Sequence, residues 1–349
     1  MITYILLLIF FLILILPLLI KRVERNIEIF LLIMAVVTLT LSHILGPEPA
    51  WSLKLILSSV VEPIKLSLAT LIFGLIFKAF REPLKKKVIS IEEVIGPRLF
   101  ACLLIFSLGI ISSVITAIIA ALILSEIISA LNMDEKYERV FTILACFSIG
   151  MGAALTPIGE PLSTIAIAKL KGGSHNADFF FLLRLIGTYI IPGLILLAVF
   201  GGFFRGTKVS RNKSMSEDYA ETFMDIALRA WRVYIFVMAL ILLGAGFKPL
   251  IDSFITRLSG RSLYWINMTS AVLDNATLAA AELGPHMSAE QIMGILMGIV
   301  ISGGILIPGN IPNIISASKL RISSRSWAAV GIPVGLSLMG IYYVALFIQ

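Results

Sequence analysis

Charged side chains are scarce in this chain. Of its 349 residues, 14% are Asp, Glu, Lys or Arg and 58% are hydrophobic, and the mean hydropathy is +1.00. Soluble domains carry about 25% charged residues, so the composition excludes an ordinary soluble domain. Apolar runs long enough to cross a bilayer recur along the whole sequence. They predict an all-α polytopic membrane protein that contacts membrane lipid.

Cysteine and the common catalytic motifs are also nearly absent. The two cysteines, Cys102 and Cys146, fall in predicted membrane segments and form neither a metal-ligand spacing nor a disulfide framework. The sequence contains no CxxC, HExxH, Walker-type glycine loop or Gly-x-Ser-x-Gly elbow. We therefore expect no enzymatic activity and no cofactor. The net charge of +7 does not indicate nucleic-acid binding, because excess Lys and Arg in a membrane protein mark cytoplasmic loops.

The distribution of basic residues predicts how the chain crosses the membrane. Following the apolar runs and basic clusters in order gives eight full spans and two re-entrant hairpins, with both termini outside. The apolar run 51–80 is too long for one straight span and is expected to break near Pro63. The basic cluster at 81–87 is expected to form a cytoplasmic loop.

Two apolar stretches carry polar residues near their centres. Residues 99–131 contain Ser113 and Thr116, and residues 263–283 contain Asp274. A carboxylate at bilayer depth costs about 2.5–3.5 kcal/mol, so it is rarely kept without a use. A single helix over 99–131 would overshoot the membrane. A re-entrant hairpin fits the length and the polar centre of each stretch.

Two further apolar stretches are interrupted by glycine and proline. The interruptions are Gly150, Gly152 and 156–161 within 140–170, and 303–304 and 308–313 within 289–317. Proline removes a backbone donor and glycine weakens a helix. Each stretch is therefore predicted to be a broken transmembrane helix, with two half-helices joined by a polar loop.

The hairpins and the broken helices occur in the same order in both halves of the chain. Residues 112–117 align with 270–275 at an offset of 158, and residues 157–160 align with 307–310 at an offset of 150. The first hairpin enters from inside and the second from outside, which predicts an inverted repeat. Matching interrupted helices in two inverted halves indicate a transporter with its substrate site between them.

Two motifs carry a resemblance to a known family. Residues 270–278 (Ser-Ala-Val-Leu-Asp-Asn-Ala-Thr-Leu) and 152–160 (Gly-Ala-Ala-Leu-Thr-Pro-Ile-Gly-Glu) resemble the two signatures of NhaD-type sodium/proton antiporters. More broadly, residues 99–172 and 263–325 resemble the ion transporter superfamily, which includes divalent-anion/sodium symporters and arsenite efflux permeases. Within it, the short chain is similar to a group of uncharacterised archaeal and bacterial cation transporters.

This resemblance implies that hairpin tips and helix breaks coordinate sodium, that a scaffold domain dimerises, and that a transport domain moves like an elevator. It also implies a homodimer in the cell membrane of a prokaryote. The chain departs from the pattern in one place, because Thr116-Ala117 stands in the first hairpin where the second has Asp274-Asn275. Whether the first repeat binds its own ion is therefore left open.

The predicted organisation follows from the two repeats. It comprises scaffold helices of the first half (1–98), the first half of the transport domain (99–172), connecting scaffold helices (173–262), the second half of the transport domain (263–325) and a terminal helix (326–349).

Oxygen-bearing residues of the two repeats are the candidate site. Sodium prefers oxygen ligands, such as carboxylates and backbone carbonyls freed at a helix break. The predicted cation- and proton-binding residues are Ser113, Thr116, Thr156, Gly159 and Glu160 in the first repeat, and Ser270, Asp274, Asn275, Thr277, Gly309, Asn310 and Asn313 in the second. The expected sodium ligands among them are Thr116, Glu160, Asp274, Asn275 and Gly309.

Asp274 has two compatible interpretations. Burial disfavours the charged form of a carboxylic acid, so a proton and sodium can compete for this group. It can also cap a helix at the hairpin turn. Three other charged residues are placed away from the site: Glu126 and Glu282 at headgroup level near the hairpin ends, and Lys319 snorkelling to the interface.

Together these features predict a secondary active transporter that exchanges sodium for protons. The alternative is a sodium-coupled symporter or an efflux carrier of a small anion. Neither motif contains Arg or Lys, which favours a small cation as the transported species. An intramembrane enzyme would need a nucleophile–base or metal constellation, and the Gly-Asp pairs typical of paired-aspartyl proteases are absent.

Overall fold

The computed structural model of the protein describes residues 2–131, 133–171, 175–204, 222–255, 258–273, 275–284 and 287–348. These residues form helices and connecting turns, and none of them lies in a β-strand. The α-helices are α1 (Ile2–Leu19), α2 (Lys21–Arg25), α3 (Ile27–Leu45), α4 (Leu53–Ile95), α5 (Pro97–Ile115), α6 (Ala117–Ala130), α7 (Glu135–Ala153), α8 (Pro161–Leu170), α9 (Phe181–Phe204), α10 (Phe223–Ile255), α11 (Gly260–Ile266), α12 (Asn275–Glu282), α13 (Ala289–Ser302), α14 (Ile311–Lys319) and α15 (Ser324–Phe347). Short 3-10 helices follow α11 (Asn267–Ala271) and precede α14 (Ile307–Gly309). The predicted all-α class is confirmed.

Several of the helices have the character of membrane spans. Among the described residues, five helices are long and apolar enough to cross a bilayer. They are α3, α5, α9, α15 and the part of α10 from Phe223 to Leu250. The protein is thus helical and membrane-like, consistent with a multi-pass membrane protein. Eight full spans and the sidedness of the termini stay predictions.

The longest helix differs from its prediction. α4 runs without interruption from Leu53 to Ile95 and includes Pro63 and Pro83, so the predicted break near Pro63 is wrong. The predicted loop at 81–87 is also wrong, because these residues lie in the same helix. Proline removes one backbone donor, but neighbouring groups in a membrane helix can satisfy the carbonyl left unbonded. At 1.5 Å per residue, the 43-residue helix is about 65 Å long, roughly twice the hydrocarbon core.

Each of the other four segments is interrupted, as predicted, although not at Gly150 and Gly152. Thr116 separates α5 from α6, and residues 154–160 separate α7 from α8. α11 leads through its 3-10 helix to the turn that precedes α12, and residues 303–310 separate α13 from α14. The chain therefore shows twice the order of an interrupted helical segment followed by a broken helix.

Glycines in α7 mediate close helix contact rather than a break. Gly150 and Gly152 lie inside α7, so the expectation that they interrupt it is wrong. A Cβ on Gly152 would lie 1.7 Å from the carbonyl oxygen of Gly109 on α5. Nearby, Ser148 Oγ donates a 2.8 Å hydrogen bond to the carbonyl of Ile105. Small residues let helix backbones approach closely, and this packing matters in a membrane because lipid provides no hydrophobic driving force for helix association.

The second half uses the same kind of contact. A Cβ on Gly294 of α13 would lie 2.3 Å from the carbonyl oxygen of Gly260 at the start of α11. A Cβ on Gly298 would lie 2.5 Å from the carbonyl oxygen of Tyr264. The backbones of α13 and α11 therefore lie in close contact, as those of α7 and α5 do.

Two helices of the first half pack against two helices of the second half. α6 packs against α14, and α8 packs against α12. Between α6 and α14, Lys319 Nζ lies 2.6 Å from Glu126 Oε1, with side chains only 8% and 10% exposed. The expected snorkelling of Lys319 is therefore wrong, because its ammonium is buried against Glu126 inside the protein. The headgroup-level position expected for Glu126 stays a prediction.

Helix α10 packs against α1, α3 and α4. Ser42 Oγ donates to the carbonyl of Gly246, and a Cβ on Gly246 would lie 2.9 Å from the backbone nitrogen of Leu39. α9 packs on α5 and α7, and α15 packs on α13 and α7.

Substituting Gly152 by alanine is expected to destabilise the protein, because the added Cβ would overlap the Gly109 carbonyl and separate α5 from α7. Overpacking of this kind costs about 1–3 kcal/mol and lowers the unfolding temperature, measured in detergent by circular dichroism. Gly340→Ala is the matched control, since a Cβ there meets nothing within 4 Å. Equal unfolding temperatures for the two variants would contradict the close α5–α7 contact.

Glu126→Gln and Lys319→Met are each expected to destabilise the fold by about 3–5 kcal/mol, because each removes one member of a buried ion pair and keeps the charge of the other. The double variant is expected to recover part of this loss. Thermal unfolding of the four proteins measures the coupling as a double-mutant cycle. The exposed pair Lys248–Glu48, at 3.3 Å, is the control and should contribute less than about 1 kcal/mol. Additive losses at Glu126 and Lys319 would speak against a buried pair.

Candidate functional site

Thr116 holds the junction between α5 and α6 in a backbone conformation that favours glycine. Its φ is 79° and its ψ is 148°, a region that costs a residue with a side chain about 1–3 kcal/mol. The backbone N–H of the next residue, Ala117, donates a 2.9 Å hydrogen bond to the carbonyl of Gly159. Strained positions persist only where the surrounding structure enforces them, and they cluster at functional sites.

The first helix break brings further predicted residues to this junction. Thr156 Oγ1 donates to the carbonyl of Ser113. A Cβ on Gly159 would lie 2.0 Å from the carbonyl oxygen of Ala153, so the loop folds back onto the end of α7 only with glycine there. Glu160 follows as the N-cap residue of α8 and is buried. Thr156, Gly159 and Glu160 therefore lie on this loop, which bonds directly to Ser113 and to Ala117, the residue after Thr116.

The second break gathers a matching set of oxygen atoms. Ser270 Oγ donates to Asn275 Oδ1. A Cβ on Gly303 would lie 2.9 Å from both amide atoms of Asn275. A Cβ on Gly309 would lie 2.5 Å from the carbonyl oxygen of Gly303 and 2.8 Å from that of Ser270. Hydroxyl, amide and backbone carbonyl oxygens thus converge where the helix is interrupted.

Asn313 fixes the backbone of this second break. Its Nδ2 donates to the carbonyls of Gly303 and Leu306, both at 2.8 Å. The side chain is fully buried, and its Oδ1 has no hydrogen-bond partner among the described residues. Asn313 therefore both organises the loop and keeps one oxygen available to a ligand.

Asn310 connects the second break to the first half. A Cβ on Gly150 of α7 would lie 2.6 Å from Asn310 Nδ2, so the amide packs directly on that helix. Asn310 is buried and is the N-cap residue of α14. The two breaks consequently share α7 as a common wall.

The side chains of two predicted residues lie outside what the structure describes. Asp274 lies outside the described residues, between Leu273 and Asn275, which are both buried. Thr277 lies in α12, and its side chain is outside the described part of the chain. The role assigned to Asp274 therefore stays a prediction.

The two breaks make equivalent contacts at residue numbers that differ by 150. A Cβ on Gly159 would meet the carbonyl of Ala153, and a Cβ on Gly309 would meet that of Gly303. Ser163 Oγ lies 3.5 Å from the carbonyl oxygen of Ala153 and 3.0 Å from that of Ala154. Its counterpart at the same offset, Asn313, donates to Gly303. The predicted alignment of the two broken helices thus has a counterpart in their hydrogen bonds.

The whole chain also matches a known family. Residues 3–349 match a family described as "Protein of unknown function (DUF1646)". The chain belongs to this family. No curated protein matches it at a significant level. The finer resemblance to NhaD-type antiporters has no named relative behind it and stays a prediction.

One buried pair in this DUF1646 protein lies outside the predicted set. Asn267 Nδ2 donates a 2.7 Å hydrogen bond to Glu282 Oε2, and Glu282 is only 5% exposed. Glu282 is therefore buried inside the protein, and its expected headgroup-level position stays a prediction. The sequence held one signal, because Glu282 follows Asn275 by seven residues and so lies on the same face of α12.

A cavity of about 390 Å³ lies beside the second break. Glu28, Arg232 and Arg321 line it, and Arg232 Nε lies 3.3 Å from Glu28 Oε1. Ile307, the residue before Pro308, lines the cavity too. The cavity thus joins α3 and α10 to the loop that carries the second cluster.

Neither break offers the usual ligands of a transition metal. Among the described residues, no group of three or more His, Cys, Asp and Glu side chains could hold a metal ion. The atoms gathered at the breaks are hydroxyl, amide and carbonyl oxygens, which suit a hard cation. The donor atoms gathered at the two breaks are therefore of the kind that suits an alkali cation.

Asn313→Ala is expected to destabilise the protein more than Ser163→Ala, its counterpart in the first break. The first change leaves the buried Gly303 carbonyl without its Asn313 donor, at about 1–3 kcal/mol, and removes one of two donors from the Leu306 carbonyl. The second removes weaker bonds from a hydroxyl. Unfolding temperatures in detergent measure the difference, and an equal or larger loss for Ser163→Ala would contradict the organising role of Asn313.

Proposed function

We propose that this protein is a secondary active transporter that exchanges sodium for protons across the membrane. The observation that supports it most directly is the second break. There, oxygens of Ser270, Asn275, Gly303 and Gly309 meet at a buried interruption of a helix. The membrane-like architecture of the chain makes transport the natural use of such a cluster.

The proposal includes an inverted repeat with two re-entrant hairpins. It rests on the order of the interrupted segments and on the contacts that recur 150 residues apart in the sequence. It also rests on the packing of α6 with α14 and of α8 with α12, which joins the two halves. In this arrangement the four half-helix ends surround one region near the membrane midplane. Half-helix ends carry partial charges that can hold an ion there.

Sodium and a proton compete for the Asp274 carboxyl in this mechanism. The ionised carboxylate, together with the neutral oxygens of Asn275 and the break, holds sodium. When a proton occupies the carboxyl, the site has no net negative charge and releases the cation. Exclusive occupancy of one buried carboxylate is sufficient for exchange, because the group carries one of the two ions across the membrane and returns with the other.

The remaining elements of the proposal come from the family resemblance. The transport domain, residues 99–172 and 263–325, moves like an elevator against a scaffold, and the scaffold forms a homodimer. The protein lies in the cell membrane of a prokaryote, contacts lipid, binds no nucleic acid, needs no cofactor and is not an enzyme.

A second candidate function is a sodium-coupled carrier of a small anion, either as a symporter or for efflux. One observation favours it: the cavity beside the second break is lined by Arg232 and Arg321. Guanidinium groups are suited to carboxylate and phosphate groups. Arg232, however, already pairs with Glu28, so the cation exchanger remains the leading proposal.

Reconstitution into liposomes that hold a pH-sensitive dye tests the exchange. A sodium gradient is expected to drive a pH change in liposomes with the wild type, and Asp274→Asn is expected to reduce it to the rate of protein-free liposomes. Neutral asparagine keeps the size of the side chain but cannot bind a proton or balance the charge of sodium.

Asp178→Asn is the matched control. Asp178 is an exposed carboxylate 2.7 Å from Arg184, and the hydrogen bond from that guanidinium holds its pKa below the usual range. It therefore stays ionised near neutral pH, and its variant should keep wild-type exchange. A wild type that moves no protons across the neutral pH range would overturn the proposal and lead to a screen of sodium-dependent anion uptake.

A further inference from the structure

Glu282 and Asn267 form a buried polar pair that the exchange at Asp274 does not use. Asn267 Nδ2 donates to Glu282 Oε2 at 2.7 Å and to the carbonyl of Leu263 at 3.0 Å. Asn267 is fully buried, and its Oδ1 has no hydrogen-bond partner among the described residues. A buried acceptor without a donor is uncommon enough in folded proteins to call for a reason.

No cation is placed to neutralise Glu282 in the part of the chain that the structure describes. α12 packs against α8, α10, α13 and the 3-10 helix Asn267–Ala271. The charged side chains described on these elements are Lys169 on α8, Asp225, Arg232 and Lys248 on α10, and Glu290 on α13. Arg232 pairs with Glu28. Lys248 pairs with Glu48. Lys169 and Glu290 are exposed, and Asp225 accepts a hydrogen bond from Thr222. An ionised Glu282 therefore bears much of the cost of burying a charge.

A proton on Glu282 would supply the missing donor. A carboxylic acid and a primary amide can share two hydrogen bonds, one from the amide N–H to a carboxyl oxygen and one from the acid O–H to the amide oxygen. The first of these is present, from Asn267 to Glu282. The second would satisfy Asn267 Oδ1. Loss of the proton leaves that oxygen without a donor and leaves a buried anion behind.

The pair is connected to the second break by a hydrogen bond and by a helix. Ser302 Oγ lies within hydrogen-bond distance of the carbonyl oxygens of Asn267, at 2.7 Å, and Gly298, at 2.6 Å, and Ser302 directly precedes Gly303. Glu282 and Asn275 are the two ends of α12. In the first repeat, the position that aligns with Glu282 at an offset of 158 is Leu124, a buried apolar residue. The pair thus belongs to the second repeat alone.

We propose that Glu282 and Asn267 form a proton-binding site, separate from Asp274, that loads and releases a proton as a cation leaves and enters the second break. This inference rests on the proposed exchange of sodium for protons. A cation at the break favours the ionised carboxyl, so the Glu282 proton passes to water. When the cation leaves, Glu282 takes a proton from water, and the two hydrogen bonds between the acid and the Asn267 amide form again.

Proton release on sodium binding tests this site. Sodium chloride is added to the purified full-length protein in weakly buffered detergent solution, while a dye reports released protons and calorimetry reports binding. The wild type should release about two protons for each sodium ion, one from Asp274 and one from Glu282. Glu282→Gln should release about one. The sodium affinity should change roughly 100-fold per pH unit in the wild type and roughly 10-fold in the variant.

Glutamine at 282 keeps the size of the side chain and can still pair with the Asn267 amide, so the fold is expected to persist. Glu290→Gln is the matched control, because Glu290 is an exposed glutamate on the next helix. It should release as many protons as the wild type. Equal release by Glu282→Gln and the wild type would overturn the inference and leave the exchange at Asp274 intact.

Infrared difference spectroscopy separates this inference from the proposed function. Carbonyl bands of protonated carboxylic acids should disappear from the wild type as the pH rises, and the Glu282 band should be missing from Glu282→Gln while the Asp274 band remains. Asn267→Ala should shift the Glu282 band, because the acid loses its amide partner. If the wild type binds no sodium, the proposed function fails, yet a band that depends on Glu282 still supports the proton site. A spectrum unchanged by Glu282→Gln overturns it.

Discussion

Backbone groups buried at a helix break must find partners, and this requirement organises the centre of the protein. Neither lipid nor a closely packed interior offers water to an open carbonyl. At the second break, Asn313 donates to the carbonyls of Gly303 and Leu306, and the Gly309 N–H also donates to Leu306. At the first break, the Ser163 hydroxyl donates to the carbonyl of Ala154. These side chains come from the half-helix that follows, so each half-helix must fold back against the end of the one before it.

This folding back explains the glycines of the site. Gly159 and Gly309 stand where the returning loop meets the last turn of the preceding helix, and any Cβ there would collide with a carbonyl oxygen. These loops also leave Asn313 Oδ1 buried without a donor among the described residues. The geometry that satisfies most of the backbone therefore also provides the oxygens on which the proposed cation site rests.

The two breaks are mechanically connected through the helices that surround them. α6 reaches α14 and α8 reaches α12, and the buried Glu126–Lys319 pair fastens the first of these contacts. Asn310 rests on Gly150 of α7. Each break is therefore packed against helices of the other half, and closely packed interiors transmit strain.

The sequence by itself determined the helical membrane class and the positions of the four interruptions, because hydropathy, proline and glycine act within one or two turns of the chain. It also determined most of the residues at the two breaks. Pro63 shows the limit of such local reasoning, since α4 continues through it. Only the tertiary structure decided that Glu126, Glu282 and Lys319 are buried and what they contact. Burial and pairing depend on which distant helix packs against a side chain, and hydropathy along one segment carries no record of its neighbour.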